Sequence, residues 1–149
     1  MLSPPDVFSG VMPPHAHVPG VTPRHPEDFF DALKATVRED TPLAALHDTP
    51  AFITGRAYFD AGYYWECHEL LEAVWLRTPE GSPERDMVQA VIQLANARLK
   101  LLMQRPRAAW RLCDMVLAHL ARCPRDHAIL GLRVAQVKIW VKQTQSRVR

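Results

Sequence analysis

Two side chains that can bind metal ions, His68 and Glu72, stand four residues apart in a stretch whose apolar residues have helical spacing. On an α-helix, residues at this spacing face each other across one turn. Both lie between apolar flanks on the helical projection, whereas Glu66, Glu69 and Arg77 fill the more exposed side. The spacing suits a charge-assisted hydrogen bond or two ligands to one metal ion.

Two interpretations of this pair stay open. In a metal site, His68 and Glu72 would be ligands to a divalent ion, and Glu69 would be a third ligand or a base. Because a bound divalent ion acidifies a water molecule, metal-assisted hydrolysis is the reaction to expect if the chain is an enzyme. In a structural role, the pair would form a buried network that fixes helix packing.

A second polar feature follows further along the chain. Gln89, Gln93 and Asn96 form one narrow helical stripe, whereas a solvated stripe is usually rich in Glu and Lys. Amides both donate and accept hydrogen bonds, which suits a partly buried seam, and an exposed neutral stripe is the alternative. We expect the stripe to face the His68/Glu72 edge across one polar cleft. Three aromatic side chains would form the walls of that cleft: Tyr64, Trp65 and Trp75.

The elements that must position these residues are helical by pattern. No stretch alternates with period two, and the apolar residues are spaced for helix faces. Thr49-Pro50 and Ser82-Pro83 are typical helix starts, with a capping hydroxyl before a proline in the first turn. The sequence predicts an all-α bundle of five or six helices. The predicted helices span about 26–40, 50–62, 64–77, 82–103, 106–121 and 134–145.

Prolines concentrate at the start of the chain. Nine of the 13 lie in the first 50 residues, and seven lie between Pro4 and Pro26. This composition predicts a proline-rich extended arm over residues 1–25, followed by a single helical domain over residues 26–149. His25, next to the first predicted helix, would be fixed in position and would close over the His68 cleft.

The charges divide unevenly along the 149 residues. Net charge is +2 overall, but residues 1–97 carry 6 Lys+Arg and 14 Asp+Glu, against 12 and 2 in residues 98–149. Nucleic-acid binding would need the cations on one face with exposed aromatic residues. Trp110 and Trp140 stand at core-like positions and no nucleic-acid-binding signature is present, so this function is not the one we favour. The expected role of the basic half is a solvated face, or a contact with the acidic half within the molecule or across a homodimer.

Composition excludes several other classes. The chain is 48% apolar and 23% charged, which is ordinary for a globular domain, and no apolar run approaches the roughly 18–20 residues that span a bilayer. Residues 1–5 lack the features of a secretory signal. Three cysteines without metal-ligand spacing favour reduced thiols over a disulfide framework. We therefore expect a cytoplasmic protein with no membrane partner.

The residues from Phe59 to Trp75 resemble a bacterial and archaeal family known as domain of unknown function 309. Its signature, His-x-x-x-Glu-x-x-Trp, is matched by His68, Glu72 and Trp75, and its following segment, Gln-Gly-x-Ile-Gln-Leu-Ala, by residues 89–95. Ala90 replaces the usual glycine of that segment. The similarity extends over roughly residues 17 to 140. It implies a compact all-α fold and a metal role for the signature, without an assigned reaction.

The sequence thus predicts a helical protein that binds a small ligand or a divalent metal ion in a polar His/Glu cleft. One alternative is a non-catalytic structural or interaction module. The other is anion or nucleic-acid binding through the basic half.

Overall fold

The computed structural model describes residues 12–148, in which all regular secondary structure is helical and no β-strand is present. The prediction of an all-α fold is confirmed. A 3-10 helix spans Leu43–Asp48. The α-helices are α1 (Asp31–Lys34), α2 (Pro50–Ala61), α3 (Tyr64–Trp75), α4 (Pro83–Leu102), α5 (Pro106–Leu120) and α6 (Val134–Gln145).

The chain divides into two compact units, with the boundary between Arg77 and Thr78. The first unit contains α1, α2 and α3, and the second contains α4, α5 and α6. The predicted boundary between an arm and a helical domain, at residue 25, stays a prediction. Within residues 12–148, no helix is long and apolar enough to cross a membrane.

The helix ends follow local sequence. The hydroxyl of Thr49 accepts a hydrogen bond from the backbone N of Phe52 at 3.3 Å, and the hydroxyl of Ser82 accepts one from the backbone N of Arg85 at 3.1 Å. Each caps a helix whose first residue is proline. Gly62 ends α2 with a φ of 88°, a conformation that glycine adopts without steric cost.

The predicted helix over residues 26–40 was too long, because only Asp31–Lys34 is α-helical. The chain around it turns through i→i+3 hydrogen bonds, such as that from the backbone N of Phe29 to the carbonyl of Pro26 at 3.0 Å. The Thr36 hydroxyl donates to the carbonyl of Leu33 at 2.6 Å and accepts from the backbone N of Ala51 at 3.0 Å. Such side-chain bonds compete with helical hydrogen bonds, so the helix stops early.

The core of the first unit lies between α2 and α3, which pack closely. Gly55 of α2 permits this approach, because a Cβ atom there would lie 3.0 Å from Cδ2 of Leu71 on α3. Hydrophobic side chains from both helices and from the 3-10 helix are almost completely buried: Leu46, Phe52, Tyr58, Phe59, Cys67, Leu70, Leu71 and Val74. This core gives α3 a fixed position, on which the candidate site depends.

In the second unit, α4 packs mainly against α5, and α6 packs against both. Arg98 of α4 is buried, and its guanidinium donates to the hydroxyl of Thr144 at 2.9 Å and to the carbonyl of Trp140 at 3.2 Å. The amides of Gln93 and Asn96 are half-buried and 3.4 Å apart. The amide stripe is therefore partly buried, as one of the two interpretations predicted.

Candidate functional site

Glu66, on α3, is a fully buried carboxylate. Its Oε2 atom lies 2.5 Å from Nε2 of His25 and accepts a hydrogen bond from the backbone N of His17 at 2.7 Å. The side chains of His25 and Glu66 are 1% and 0% exposed. The Oε1 atom of Glu66 has no hydrogen-bond partner within residues 12–148. Because a buried carboxylate is costly without partners, these two contacts are what allow Glu66 to occupy the interior.

A tight turn fixes the segment that supplies these contacts. The backbone N atoms of Val21 and Thr22 donate to the carbonyl of Val18 at 2.8 and 2.9 Å. The Thr22 hydroxyl accepts from the backbone N of Val18 and donates to the carbonyl of Ala16, both at 2.7 Å. Gly20 has a φ of 80° within this turn. The turn holds the backbone N of His17 within hydrogen-bond distance of Glu66.

Aromatic rings surround the pair. The ring of His17 meets Trp65 edge-on with centroids 4.9 Å apart, and the ring of His25 stacks on Phe29 at 5.2 Å. His15 is 4.8 Å from His25 between centroids. The guanidinium carbon of Arg24 lies 5.8 Å from the Trp65 ring centroid, within the range of a cation–π contact.

Two other groups near Glu66 are held in their protonated forms. Burial, with the charge of Glu66 as a further cause, raises the pKa of Tyr58 above the ordinary value for a phenol. Burial likewise raises the pKa of the Cys67 thiol. Neither group is therefore a nucleophile at neutral pH.

Two open cavities lie at the surface of this part of the first unit. The larger, of about 660 Å³, is bordered by Trp65, His25, Arg24, Lys34 and Glu69. The smaller, of about 370 Å³, shares Lys34 and Glu69 with it and continues along α3. The Nζ atom of Lys34 donates to Oε1 of Glu69 at 3.0 Å. We call these two cavities, between residues 24–37 and α3, the α3 groove.

The predicted metal residues are brought together only in part. Nε2 of His68 and Oε2 of Glu72 are 3.0 Å apart, but the two side chains are 29% and 57% exposed. The buried His–Glu pair is thus His25–Glu66, and the predicted pair lies at the surface. Glu69 contacts Lys34 instead of His68. Within residues 12–148, no group of three His, Cys, Asp or Glu side chains is arranged to hold a metal ion, so the metal site stays a prediction.

The other predicted cleft residues are distributed between the two units. Trp65 borders the larger cavity, whereas Tyr64 and Trp75 are half-buried on α3 outside both cavities. His25, expected over His68, contacts Glu66 instead. The amide residues belong to the second unit, so a cleft that joins them to α3 stays a prediction: Gln89, Gln93 and Asn96.

Sequence reasoning did not pair Glu66 with His25 or with the backbone of His17. It placed Glu66 on the exposed side of α3, which would be correct for an isolated helix. The residue is buried because the turn before His25 covers that side, through contacts 41 and 49 positions away in the chain. The available signal was the local turn chemistry of residues 18–22, in which Gly20 stands two positions before Thr22.

Residues 52–112 match the model of the family described as domain of unknown function 309 (DUF309). The predicted resemblance to this family is confirmed over these residues. The match runs from α2 into α5 and therefore includes all of α3, with Glu66, His68 and Glu72. No curated protein and no solved structure matches the chain.

Proposed function

We propose that the chain binds a small polar molecule in the α3 groove, against Trp65. The observation that carries this proposal is the cavity of about 660 Å³ beside the buried His25–Glu66 pair. Sites for small molecules are typically concave, measure about 300–1,000 Å³ and combine apolar walls with a few fixed polar groups. Trp65 supplies the flat apolar wall, and the charged groups of Arg24, Lys34 and Glu69 supply the polar contacts.

The walls of the groove rest on a rigid support. His25 and Phe30 are buried beneath the cavity, and α3 is held by the core that it shares with α2. Binding to such preorganised walls avoids the entropic cost of ordering them. The α3 wall also lies inside the segment that matches the family.

The groove favours binding over catalysis. The side chain of His25 is 1% exposed, so its ring cannot reach a substrate proton in this conformation. Charges of both signs border the cavity, which suits a ligand with both donor and acceptor groups. Beside the cations Arg24 and Lys34 stand four carboxylates: Glu27, Asp28, Asp31 and Glu69.

Native mass spectrometry of the untagged protein, compared with two tryptophan variants, tests the proposal. Trp65→Ala removes the aromatic wall of the groove, whereas Trp110→Ala, in the second unit, is the matched control. The expected result is a co-purifying small molecule that is present in the wild type and in Trp110→Ala and absent from Trp65→Ala. Circular dichroism verifies that both variants are folded. A wild type without a bound molecule, or a molecule retained in Trp65→Ala, would overturn the proposal.

A divalent ion at His68 and Glu72 is a second candidate function. The 3.0 Å between Nε2 and Oε2 is short enough for both atoms to contact one ion. Elemental analysis of untagged protein, purified without a chelator, is expected to give about one metal ion per chain and a loss of that ion in His68→Ala. Substoichiometric metal in the wild type, or a metal content unchanged in His68→Ala, removes this candidate.

A further inference from the structure

Trp110, on α5, is 46% exposed, although its position in the sequence is typical of a core residue. The residues that α5 does bury on its inner side include Ala109 and Cys113, both with 0% exposure. The indole borders an open cavity of about 480 Å³, together with the apolar side chains of Pro106 and Val148. This feature belongs to the second unit and does not depend on the α3 groove.

Positive charge surrounds this indole. Arg107 and Arg111 border the same cavity, both are exposed, and neither makes an ion pair within residues 12–148. The only acid on α5 is Asp114, one turn beyond Trp110. The sequence of the second unit, residues 78–149, contains 13 Lys+Arg and 5 Asp+Glu, a net charge of +8. The surface is therefore complementary to a polyanion.

An exposed indole that borders one cavity with two arginines suits one kind of polyanion best. Single-stranded nucleic acids present unstacked bases that stack on aromatic side chains, and phosphates that pair with arginine. In a duplex the bases are already stacked, so an exposed indole would gain little there. We propose that the α5 surface formed by Arg107, Trp110 and Arg111 binds single-stranded nucleic acid, with the indole stacked on a base and the guanidiniums on phosphates. Since no base-reading motif accompanies the surface, little sequence preference is expected.

The test is fluorescence anisotropy of a labelled oligouridylate titrated with the full-length protein at low salt. The wild type is expected to bind, with an affinity that falls as salt rises. Trp110→Ala is expected to weaken binding by about 5- to 150-fold, the range measured for loss of one stacked base. Trp110→Phe keeps a ring and is expected to keep most of the affinity. Thermal unfolding followed by circular dichroism shows that each variant remains folded.

A pair of double variants separates a defined site from general attraction. One double variant, Arg107→Gln/Arg111→Gln, removes two positive charges from the proposed site. The other, Lys138→Gln/Lys142→Gln, removes the same charge from α6. Only the first is expected to abolish binding, or to reduce the slope of log K against log salt by about 0.7 for each lost phosphate contact.

Three outcomes would overturn the proposal. One is equal weakening by both double variants with no effect of Trp110→Ala, which means attraction to net charge alone. Another is competition by polyglutamate as strong as that by unlabelled oligouridylate, which means a site for acidic proteins. The third is absence of oligonucleotide binding together with a dimer, seen by light scattering, that Trp110→Ala dissociates.

Discussion

The carboxylate of Glu66 is fully buried in the first unit. One of its oxygen atoms contacts both His25 and the backbone of His17, and both side chains of the His25–Glu66 pair are buried. Removal of a charge from water is costly, and the attraction between the partners offsets that cost only while both are present. The pair therefore makes the docking of residues 17–25 and the burial of Glu66 depend on each other.

Replacement of one partner of this pair is expected to be strongly destabilising. Glu66→Gln, which keeps the size of the side chain, should lower the free energy of unfolding by about 3–5 kcal/mol. Chemical denaturation with urea measures the loss. Glu72→Gln, in the exposed pair with His68, is the control and should cost at most about 0.5 kcal/mol. Equal losses in the two variants would mean that the His25–Glu66 contact does not stabilise the fold.

The buried thiol of Cys123 predicts a loss of stability at high pH. Burial, with the charges of Asp86 and Glu84 as further causes, raises the pKa of Cys123 to about 11. The folded chain therefore keeps this proton at a pH where the unfolded chain, with a pKa of about 8.5, has lost it. Stability from this group is complete below pH 8.5 or so and declines as pH rises toward 11. Urea denaturation between pH 7 and pH 10 should show this decline, and Cys123→Ala should make it smaller. An unchanged decline in the variant would contradict the assignment.

At the scale of elements, the parts of the fold set by neighbouring residues were predictable. Some helix ends are fixed by residues within a few positions of the end, namely the capping hydroxyls of Thr49 and Ser82 and the left-handed Gly62. The ends of these helices were predicted to within about two residues. The early end of α1 was not predictable, because it depends on the contact between the Thr36 hydroxyl and Ala51, 15 residues further on.

The candidate site was predictable in its location on α3 but not in its chemistry. The spacing of His68 and Glu72 correctly predicted their contact. It could not show which His–Glu pair would be buried, since the cover over Glu66 comes from a distant segment. In the same way, helical periodicity placed Trp110 in the core, whereas α5 leaves that position at its outer edge.

The close packing of α2 on α3 predicts that Gly55 cannot be enlarged. In Gly55→Ala, the new Cβ would lie 3.0 Å from Cδ2 and 3.2 Å from Cγ of Leu71, a side chain that is 1% exposed and would have to shift. The overpacking cost of about 1–3 kcal/mol should exceed the gain of about 1 kcal/mol in helix propensity. Thermal and urea unfolding are expected to show a net destabilisation.

Leu71→Ala provides the matched background for this substitution. Because the shorter side chain leaves room for a Cβ atom, Gly55→Ala should be neutral or stabilising in that background, and the double-mutant cycle isolates the contact. A stabilising effect of Gly55→Ala in the wild type would show that the two helices can move apart.

At the scale of the whole molecule, the two units differ in charge and in the ligand each is proposed to bind. Residues 1–77 contain 5 Lys+Arg and 11 Asp+Glu, a net charge of −6, against +8 for residues 78–149. The α3 groove lies in the acidic unit and the surface around Trp110 lies in the basic unit. Trp65→Ala and Trp110→Ala therefore serve as controls for each other, and the failure of one proposal leaves the other intact.

The long chain separation between His25 and Glu66 has a consequence for how the protein is made. The ribosome synthesises residues 17–25 before α3, and Glu66, which contacts His25 and His17, follows them 41 and 49 residues later. The pairing of α2 with α3 is local in sequence and is expected to form first, whereas the closure of this longer loop must follow it. During that interval the carboxylate of Glu66 is hydrated. Residues 17–25 are therefore expected to dock last, onto two helices that have already packed together.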